Sequence, residues 1–186
     1  MDKKSVNEQP FITREDTLLV IIDVQERLLP AISGSGKIIE NTNRLLALSR
    51  VLGLPVIFSE QEKLGATIPQ IKEQAPHFDA VSKVTFNCFL NDDFADKVRE
   101  TERRTLVMSG VEAHICVAQT ALWAHPHFRV QVVGDAIGSR SPDNHHIAIE
   151  RMRMSGVTIT STEMVIYELL RKAGTEEFKA ILPYIK

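Results

Sequence analysis

Six short runs of apolar residues, separated by longer amphipathic stretches, constrain the fold of this chain more than any other feature. The clearest runs do not alternate between apolar and polar residues: Leu18 to Ile22 is apolar throughout, and Val130 to Val133 is interrupted only by Gln131. Strands with this pattern are covered on both faces, as in a parallel sheet whose crossovers are helices. The predicted strands cover residues 17–24, 55–60, 80–84, 104–110, 129–134 and 157–161.

Signals for helix starts and stops lie between the predicted strands. Gly53 and Pro55 would end the first helix, Asn91 is a candidate N-cap, and Ser141-Pro142 has the form of an N-cap followed by proline. This alternation of strands and helices predicts an α/β fold, a three-layer α/β/α sandwich of the Rossmann-like type. The expected sheet is six-stranded and mainly parallel, with the strand order 3-2-1-4-5-6.

Composition limits the classes of function. The chain has 186 residues, which suits a single domain over residues 1–186, with residues 1–12 as a loose N-terminal arm. Lys and Arg number 22 and Asp and Glu 24, and the net charge of -2 favours neither a nucleic-acid partner nor a membrane. No apolar run approaches the roughly 18 residues of a membrane span, and a secretory signal is not recognised. Two cysteines are too few for a disulfide framework, so a cytoplasmic protein is expected.

An acid, a lysine and a thiol stand at the predicted carboxyl ends of three strands: Asp23, Lys83 and Cys116. Ligands bind open α/β sheets at this edge. A thiol in the first turn of a helix, beside a cation and a base, is built as an activated nucleophile, and this setting predicts a lowered thiol pKa. Taken singly, each residue also has a structural interpretation. Cys116 could be an apolar filler, Asp23 a loop or capping acid, and Lys83 a solvated lysine.

Three motifs at these positions resemble a known family. They are Ile22-Asp23-Val24-Gln25, Lys83-Val-Thr-Phe86-Asn87 and Ser109-Gly-Val-Glu-Ala-His-Ile-Cys116-Val. Each motif is weak alone, but the three together, in this order at three strand ends, are specific. Over about residues 15–170 the chain resembles the isochorismatase-like cysteine hydrolases, a superfamily that contains nicotinamidases and carbamoylsarcosine amidohydrolase. The Gly-Val-Glu-Ala-His-x-Cys form is most similar to the branch of isochorismatase domain-containing proteins.

The resemblance implies a role for each matching residue. Cys116 would be the nucleophile, Asp23 would accept its proton and later protonate a leaving amine, and Lys83 would stabilise the thiolate. A cis peptide bond between Val111 and Glu112 is also implied, although cis bonds that do not precede proline are rare. That bond would direct the backbone N–H groups of Glu112 and Cys116 at the substrate oxygen as an oxyanion hole.

Departures from other members of this superfamily narrow the expected chemistry. Nicotinamidases carry an Asp-x-His metal motif after the second strand, where this chain has Ser59-Glu60-Gln61. His77 is the only histidine between residues 1 and 113, so neither a catalytic metal nor another cofactor is expected. Isochorismatases proper, which cleave a vinyl ether, lack the cysteine at the nucleophile position. Cys116 therefore predicts a metal-independent cysteine hydrolase that acts on a small amide or related C–N bond through a thioester.

The remaining expectations concern the walls of the site and the assembly. Gln25, Phe86 and Trp123 are the candidates for substrate-binding walls, and residues 61–79 form an irregular segment that could border the site or an interface. The resemblance implies a homo-oligomer, either a dimer, a tetramer or an octamer. Two other functions stay open for the same residues: a catalytically silent interaction module and a redox-sensing thiol protein.

Overall fold

The six predicted strands form one sheet in a computed structural model of the chain, which describes residues 10–185. All five pairings are parallel and the order is β3-β2-β1-β4-β5-β6, so the predicted topology is confirmed. The strands are β1 (Thr17–Ile22), β2 (Val56–Gln61), β3 (Ala80–Lys83), β4 (Thr105–Val111), β5 (Arg129–Gly138) and β6 (Thr158–Thr160). The helices are α1 (Ser35–Leu52), α2 (Pro69–Lys72), α3 (Asp92–Glu100), α4 (Ala118–Ala124), α5 (Pro142–Met154), α6 (Thr162–Leu170) and α7 (Glu176–Ile185).

Helices cover both faces of the sheet, which explains why a central strand such as β1 is apolar without alternation. One core cluster packs the sheet against α3, α4 and α5, and a second packs it against α1, α6 and α7. The central strand β1 is buried at all of its positions, because β2 and β4 flank it and both helical layers cover it. The three layers bring the carboxyl ends of β1, β2, β3 and β4 to one edge.

The predicted helix boundaries rest on the local interactions that the sequence indicated. The Asn91 side chain accepts a hydrogen bond from the backbone N–H of Phe94 at 3.0 Å and caps α3. The Ser141 side chain caps α5 by accepting from the N–H of Asn144 at 3.4 Å, with proline next in sequence. Gly53 ends α1 with a φ of 66°, in the left-handed region that glycine enters without a steric penalty.

Two elements near the active edge differ from expectation. Strand β5 continues to Gly138, four residues beyond the expected end at 134, after a register shift in β4 between Met108 and Gly110. The helix after β4 begins as a π-helical segment, Ala113–Val117, and becomes α-helical only from Ala118. Cys116 therefore lies in the π-helical segment and not in the first turn of an ordinary α-helix.

The predicted N-terminal arm falls largely outside the described residues, because residues 1–9 are not among them. Residues 10–12 are held against the body. The N–H of Ile12 donates to the Glu168 carboxylate at 2.8 Å, and the Arg129 guanidinium donates to the carbonyls of Pro10 and Phe11. The described part of the arm is therefore anchored. Between residues 10 and 185, no helix combines the length and the apolar character that a membrane crossing needs.

Candidate active site

Asp23 takes an unusual backbone conformation directly after β1. Its φ is 52°, in the left-handed region that aspartate and asparagine enter more readily than other non-glycine residues. Its backbone N–H donates to the carbonyl of Ser59 at 3.1 Å, which ties the residue to the neighbouring strand β2. The sharp turn ends β1 and leaves the carboxylate at the edge of the sheet, where β3 and the segment after β4 also end.

The Asp23 carboxylate and the Lys83 ammonium form an ion pair with both side chains 0 % exposed. The distance from Lys83 Nζ to Asp23 Oδ2 is 2.8 Å, and the Ser59 hydroxyl donates to Asp23 Oδ1 at 2.7 Å. Buried charges are tolerated when they are paired and hydrogen-bonded in this way. The carboxylate is thus fixed at both oxygens.

The thiol of Cys116 completes the group. Lys83 Nζ lies 3.8 Å from the Cys116 sulfur, and the Asp23 carboxylate is close enough to the thiol to act on its pKa. The three residues that the sequence placed at strand ends therefore converge, although 60 residues separate Asp23 from Lys83 and a further 33 separate Lys83 from Cys116. Two further acceptors contact the ammonium: the side-chain oxygen of Gln61 at 2.8 Å and the carbonyl of Thr85 at 3.2 Å.

The protonation state of the thiol differs from the prediction made from the sequence. Burial raises the pKa of the Cys116 thiol, the charge of Asp23 raises it further, and the charge of Lys83 only partly opposes them. The pKa of Lys83 is raised as well: burial alone would lower it, but the attraction of Asp23, with contributions from Cys88 and Cys116, outweighs that effect. The resting site accordingly contains a charged lysine and a protonated thiol beside a carboxylate.

A cavity of about 250 Å³ opens above these residues. Its lining combines the reactive groups with an apolar wall and an ion pair; the lining residues are Asp23, Leu28, Ala31, Gln61, Leu64, Phe86, Glu112, Ile115, Cys116 and Arg140. Two larger cavities, of about 570 and 370 Å³, lie elsewhere and contain none of Asp23, Lys83 or Cys116 in their linings. The volume near the thiol lies below the usual range of ligand pockets and fits a small molecule.

An ion pair forms the rim of the cavity. The Glu112 side chain, only 4 % exposed, accepts from the backbone N–H of Arg140 at 2.9 Å and from its guanidinium at 3.1 Å. The Arg140 side chain itself is 62 % exposed. His114 contacts the Ser139 hydroxyl through Nδ1 at 2.9 Å. The peptide bond between Val111 and Glu112 is cis, as the resemblance implied.

Gly110 allows β4 to approach β1 closely beside the site. Its φ is 121°, and a Cβ atom there would lie 2.0 Å from the carbonyl oxygen of Ile22 and 2.7 Å from its nitrogen. Those are backbone atoms and cannot move aside as a flexible side chain can. A glycine is therefore required where the strand that leads to Cys116 passes the end of the strand that leads to Asp23.

The protein-family comparison agrees with this geometry. The isochorismatase domain model matches residues 17–164 of the chain, which include Asp23, Lys83 and Cys116. The chain belongs to the isochorismatase family.

Curated relatives within the isochorismatase family align over nearly the whole chain. Isochorismatase domain-containing protein 2A of Mus musculus is 32% identical over 180 residues, which cover 94% of this chain and 85% of the relative. A protein of Phytophthora sojae, named the secreted isochorismatase effector Isc1, is also 32% identical, over 177 residues covering 91% of this chain and 84% of that protein. The resemblance to the isochorismatase domain-containing branch is thus confirmed.

Solved structures of similar proteins share the fold. One is described as the MAR1 ribonuclease of Caenorhabditis elegans; it superposes with a TM-score of 0.88 at 29% identity and covers 94% of this chain and 92% of its own. Another is the YcaC gene product of Escherichia coli, described as an octameric hydrolase of unknown specificity. It superposes with a TM-score of 0.86 at 27% identity and covers 95% of this chain and 94% of its own. The described activities differ, so the fold alone does not name a substrate.

Of the three side chains expected to wall the site of this isochorismatase-family protein, Phe86 lines the cavity and is 54% exposed. Gln25 does not line it. Gln25 is fully buried, and its amide is occupied with backbone groups of Gln61 and Gly65. Trp123 also lies outside the lining, because its ring stacks on Phe89 with the centroids 4.6 Å apart.

Gln61 lines the cavity, and the sequence contained a signal for this residue that was interpreted only in part. Ser59-Glu60-Gln61 drew attention for lacking the metal motif of nicotinamidases, yet Ser59 and Gln61 directly contact the ion pair. Gln61 ends β2 just as Lys83 ends β3, and this shared position is the signal that could have indicated it. Within the described part of the chain, no group of three or more His, Cys, Asp or Glu side chains is arranged to hold a metal ion.

Proposed function

We propose that this protein is a metal-independent cysteine hydrolase that cleaves a small amide or a related C–N bond through a thioester. The observation that carries the proposal is the convergence of Asp23, Lys83 and Cys116 beneath a small cavity, with the thiol beside both the carboxylate and the ammonium. A nucleophile beside a base that a third group orients is the arrangement that covalent catalysis needs. Membership of the isochorismatase family supports a hydrolase.

In the proposed acylation step, the Cys116 sulfur attacks the carbonyl carbon of the substrate while its proton passes to Asp23. A protonated thiol suits this order of events, because the proton moves as the S–C bond forms and no free thiolate has to accumulate. The ammonium of Lys83, 3.8 Å from the sulfur, offsets the negative charge that develops there. The C–N bond then breaks, and Asp23 returns the proton to the departing nitrogen, so that ammonia or an amine leaves.

In the proposed deacylation step, a water molecule loses a proton to Asp23 and attacks the thioester carbon. The C–S bond breaks, the acid product leaves, and the proton on Asp23 restores the Cys116 thiol. Atoms and charges balance over the cycle without a metal or cofactor. Lys83 remains charged throughout, since the pKa of the ammonium is raised in this environment.

The oxyanion of each tetrahedral intermediate needs hydrogen-bond donors, and we assign this role to the backbone N–H groups of Glu112 and Cys116. Both residues line the cavity, on the segment that follows β4. Loss of one such donor typically costs about 100- to 1,000-fold in rate. Phe86, exposed on the cavity wall, is proposed to contact the apolar part of the substrate.

The test is a thioester trap. The protein is incubated with libraries of small amides, quenched with acid and weighed intact, and the mass of an acyl group is expected on Cys116 of the wild-type chain. Cys116→Ala should acquire no adduct, whereas Cys88→Ala should acquire it, because Cys88 is buried outside the cavity lining. Turnover of an amide by Cys116→Ala would contradict the proposed mechanism.

A small molecule is proposed as the substrate in preference to a nucleic acid, although the nematode structural neighbour is described as a ribonuclease. The cavity of about 250 Å³ admits a small molecule, and the chain, with a net charge of -2, lacks the basic excess typical of nucleic-acid binding. RNA hydrolysis that persists in Cys116→Ala would refute this choice. An interaction module or a redox-sensing thiol would be indicated if no amide forms an adduct while peroxide oxidises Cys116.

Assembly and location belong to the same proposal. The octameric YcaC neighbour supports a homo-oligomer, which sedimentation of the purified protein would measure. Both cysteines are free in the fold, which accords with a reducing cytoplasmic location. Because one relative is named a secreted effector, the location needs a direct test by fractionation of the source cells.

A further inference from the structure

The Lys83 ammonium has more hydrogen-bond acceptors than it has protons to donate. An ammonium carries three N–H groups. Four acceptors surround it: Asp23 Oδ2 and Gln61 Oε1, each at 2.8 Å, the Thr85 carbonyl at 3.2 Å, and the Cys116 sulfur at 3.8 Å. The three oxygens are the nearer partners, so the sulfur receives little of the donor capacity. Any thiolate that forms on Cys116 must compete for an N–H group with one of these oxygens.

The amide of Gln61 is held with its oxygen towards the lysine. Its Nε2 donates to the carbonyl of Val84 at 2.9 Å, which leaves Oε1 to accept from Lys83. The backbone of the same residue is clamped on both sides by Gln25: the Gln61 N–H donates to Gln25 Oε1 at 2.8 Å, and Gln25 Nε2 donates to the Gln61 carbonyl at 3.0 Å. Three hydrogen bonds thus hold Gln61 in the position from which its neutral oxygen accepts the fourth, from the ammonium.

These hydrogen bonds to Gln61 explain why Gln25 is buried. It is 0% exposed and its Nε2 also donates to the carbonyl of Gly65 at 2.6 Å, so its polar groups serve backbone partners and none is turned to the cavity. A buried amide is costly unless its hydrogen bonds are made. The hydrogen bonds of Gln25 hold the end of β2 in place. They thereby position Gln61 Oε1, the acceptor that faces Lys83.

We propose that Gln61 is a positioning residue that keeps Cys116 protonated at rest by drawing one N–H of the Lys83 ammonium away from the sulfur. Asp23 anchors the second N–H, and the Thr85 carbonyl takes the third. The thiol then keeps its proton beside the Asp23 carboxylate, and the resting sulfur is a poor nucleophile until the proton is transferred during attack. The consequence for catalysis rests on the proposed function, but thiol acidity is measurable without any turnover.

The charged and titratable groups around the sulfur are unchanged in Gln61→Met, the first variant suggested below, and Gln61→Glu adds one carboxylate to them. Asp23, Lys83 and Cys88 act on the Cys116 thiol from β1, β3 and the turn after β3, and Glu112 and Arg140 share the cavity. Asp23 and Cys88 disfavour the thiolate, while Lys83 favours it. Gln61→Met alters only how the lysine divides its hydrogen bonds, so a shift in thiol acidity in that variant can be assigned to that division.

The first arm of the test removes the acceptor. In Gln61→Met, a side chain of similar length replaces the amide, and one N–H of Lys83 is free to turn to the sulfur. Hydrogen bonds to charged groups are stronger than neutral ones, so the thiolate should gain most. The rate of Cys116 alkylation by iodoacetamide, followed residue by residue by mass spectrometry, should rise about tenfold at pH 7.5, and its pH profile should move to lower pH.

The second arm strengthens the acceptor. In Gln61→Glu, a carboxylate binds the ammonium more tightly and adds a negative charge near the sulfur, so alkylation should slow about tenfold and its pH profile should move to higher pH. The matched control is Gln70→Met, an exposed glutamine of α2, which should leave the profile unchanged. Thermal unfolding of each variant verifies that the fold is retained.

Opposite shifts in the two variants are the expected result, because general damage to the site would move both profiles in the same direction. The inference is overturned if Gln61→Met leaves the profile unchanged or moves it to higher pH, or if both variants shift alike. If Gln61→Met does not fold, the Gln61→Glu profile decides, since a shift to lower pH or no shift there contradicts the inference. None of these outcomes depends on whether the protein hydrolyses an amide.

Discussion

The cavity has a floor and a rim, and each contains a buried carboxylate paired with a cation. On the floor, Asp23 and Lys83 are both 0% exposed. On the rim, Glu112 is 4% exposed, but its partner Arg140 is 62% exposed. The two pairs have similar chemistry and lie on the same cavity, so their difference in solvent access isolates what burial does to a charge pair.

Because the floor pair is buried, each of its charges requires the other. The rim pair is partly exposed and tolerates the loss of its cation better. Two charges in a low-dielectric interior interact strongly, and removing one leaves the other unpaired at a high cost. An ion pair that is open to solvent on one side is screened, and water can replace the lost partner. The floor is therefore suited to hold a base and a thiol in fixed positions, whereas at the rim water can take the place of the exposed cation.

The largest expected effect is on the rate of turnover, and it tests whether the reaction takes place at the floor of the cavity. Cys116→Ala should lower turnover of any amide substrate by about 10⁴-fold or more, because the attacking atom is lost while the fold is kept. Circular dichroism checks the fold, and product formation under substrate saturation checks the rate. Cys88→Ala, the control at the other buried thiol, should keep most of the activity. Equal losses of activity in Cys116→Ala and Cys88→Ala would contradict the distinction between the floor and the rest of the core.

A second expectation concerns the free energy of unfolding. Lys83→Met leaves Asp23 buried without its counter-ion and should destabilise the fold by about 3–5 kcal/mol in urea titrations. Adding Asp23→Asn to Lys83→Met should recover part of that loss, since asparagine is neutral and also tolerates the left-handed backbone. Lys97→Met at the surface pair with Asp79 is the control and should cost about 1 kcal/mol or less. If Lys83→Met lost as little unfolding free energy as Lys97→Met, burial would not distinguish the two regions.

The thiol of the floor should respond to pH as a group with a raised pKa. Because burial and Asp23 raise the pKa of Cys116, the protonated form dominates at neutral pH and the thiolate fraction grows about tenfold per pH unit below that pKa. Iodoacetamide labelling of Cys116 should accelerate from pH 7 to pH 9 without levelling off. A plateau below pH 8 would mean that Lys83 outweighs burial and Asp23.

The smallest expected effect is at the rim. Arg140→Met removes the guanidinium from Glu112, but the backbone N–H of residue 140 still donates to that carboxylate and solvent is close. The loss in unfolding free energy should be about 1 kcal/mol, well below the loss for Lys83→Met. Urea titrations of the two variants side by side measure the ratio. A rim loss that matches the floor loss would contradict the comparison.

Much of this architecture could be predicted from the sequence because it depends on local patterns. Apolar runs without alternation indicated buried parallel strands, and Gly53, Asn91 and Ser141 marked helix ends through interactions with their own neighbours. Asp23 was recognisable because an acid that interrupts a buried strand is costly unless it is paired or placed at the strand's end. Lys83 alone has the pattern of a solvated lysine, and only its place among the three motifs that resemble the family singled it out.

The remaining features depend on contacts between distant segments. Gln25 resembled a cavity residue because it follows Asp23, but its partners are backbone groups on the chain after β2. The raised thiol pKa arises from burial and from Asp23, 93 residues away in the sequence, and a helix-based argument could not weigh these effects. Trp123 seemed suited to a pocket wall until its stacking on Phe89 fixed its ring elsewhere.

Gly110 carries a consequence for anyone who alters this protein. A single hydrogen atom occupies the place where any other residue would put a carbon 2.0 Å from the backbone of Ile22. The spacing between the two strands that hold the acid and the thiol is thus set by the smallest available substituent. A design that transfers the three reactive side chains to another sheet would have to transfer this close contact between neighbouring strands as well. Otherwise the proton would have too far to travel between the thiol and the acid.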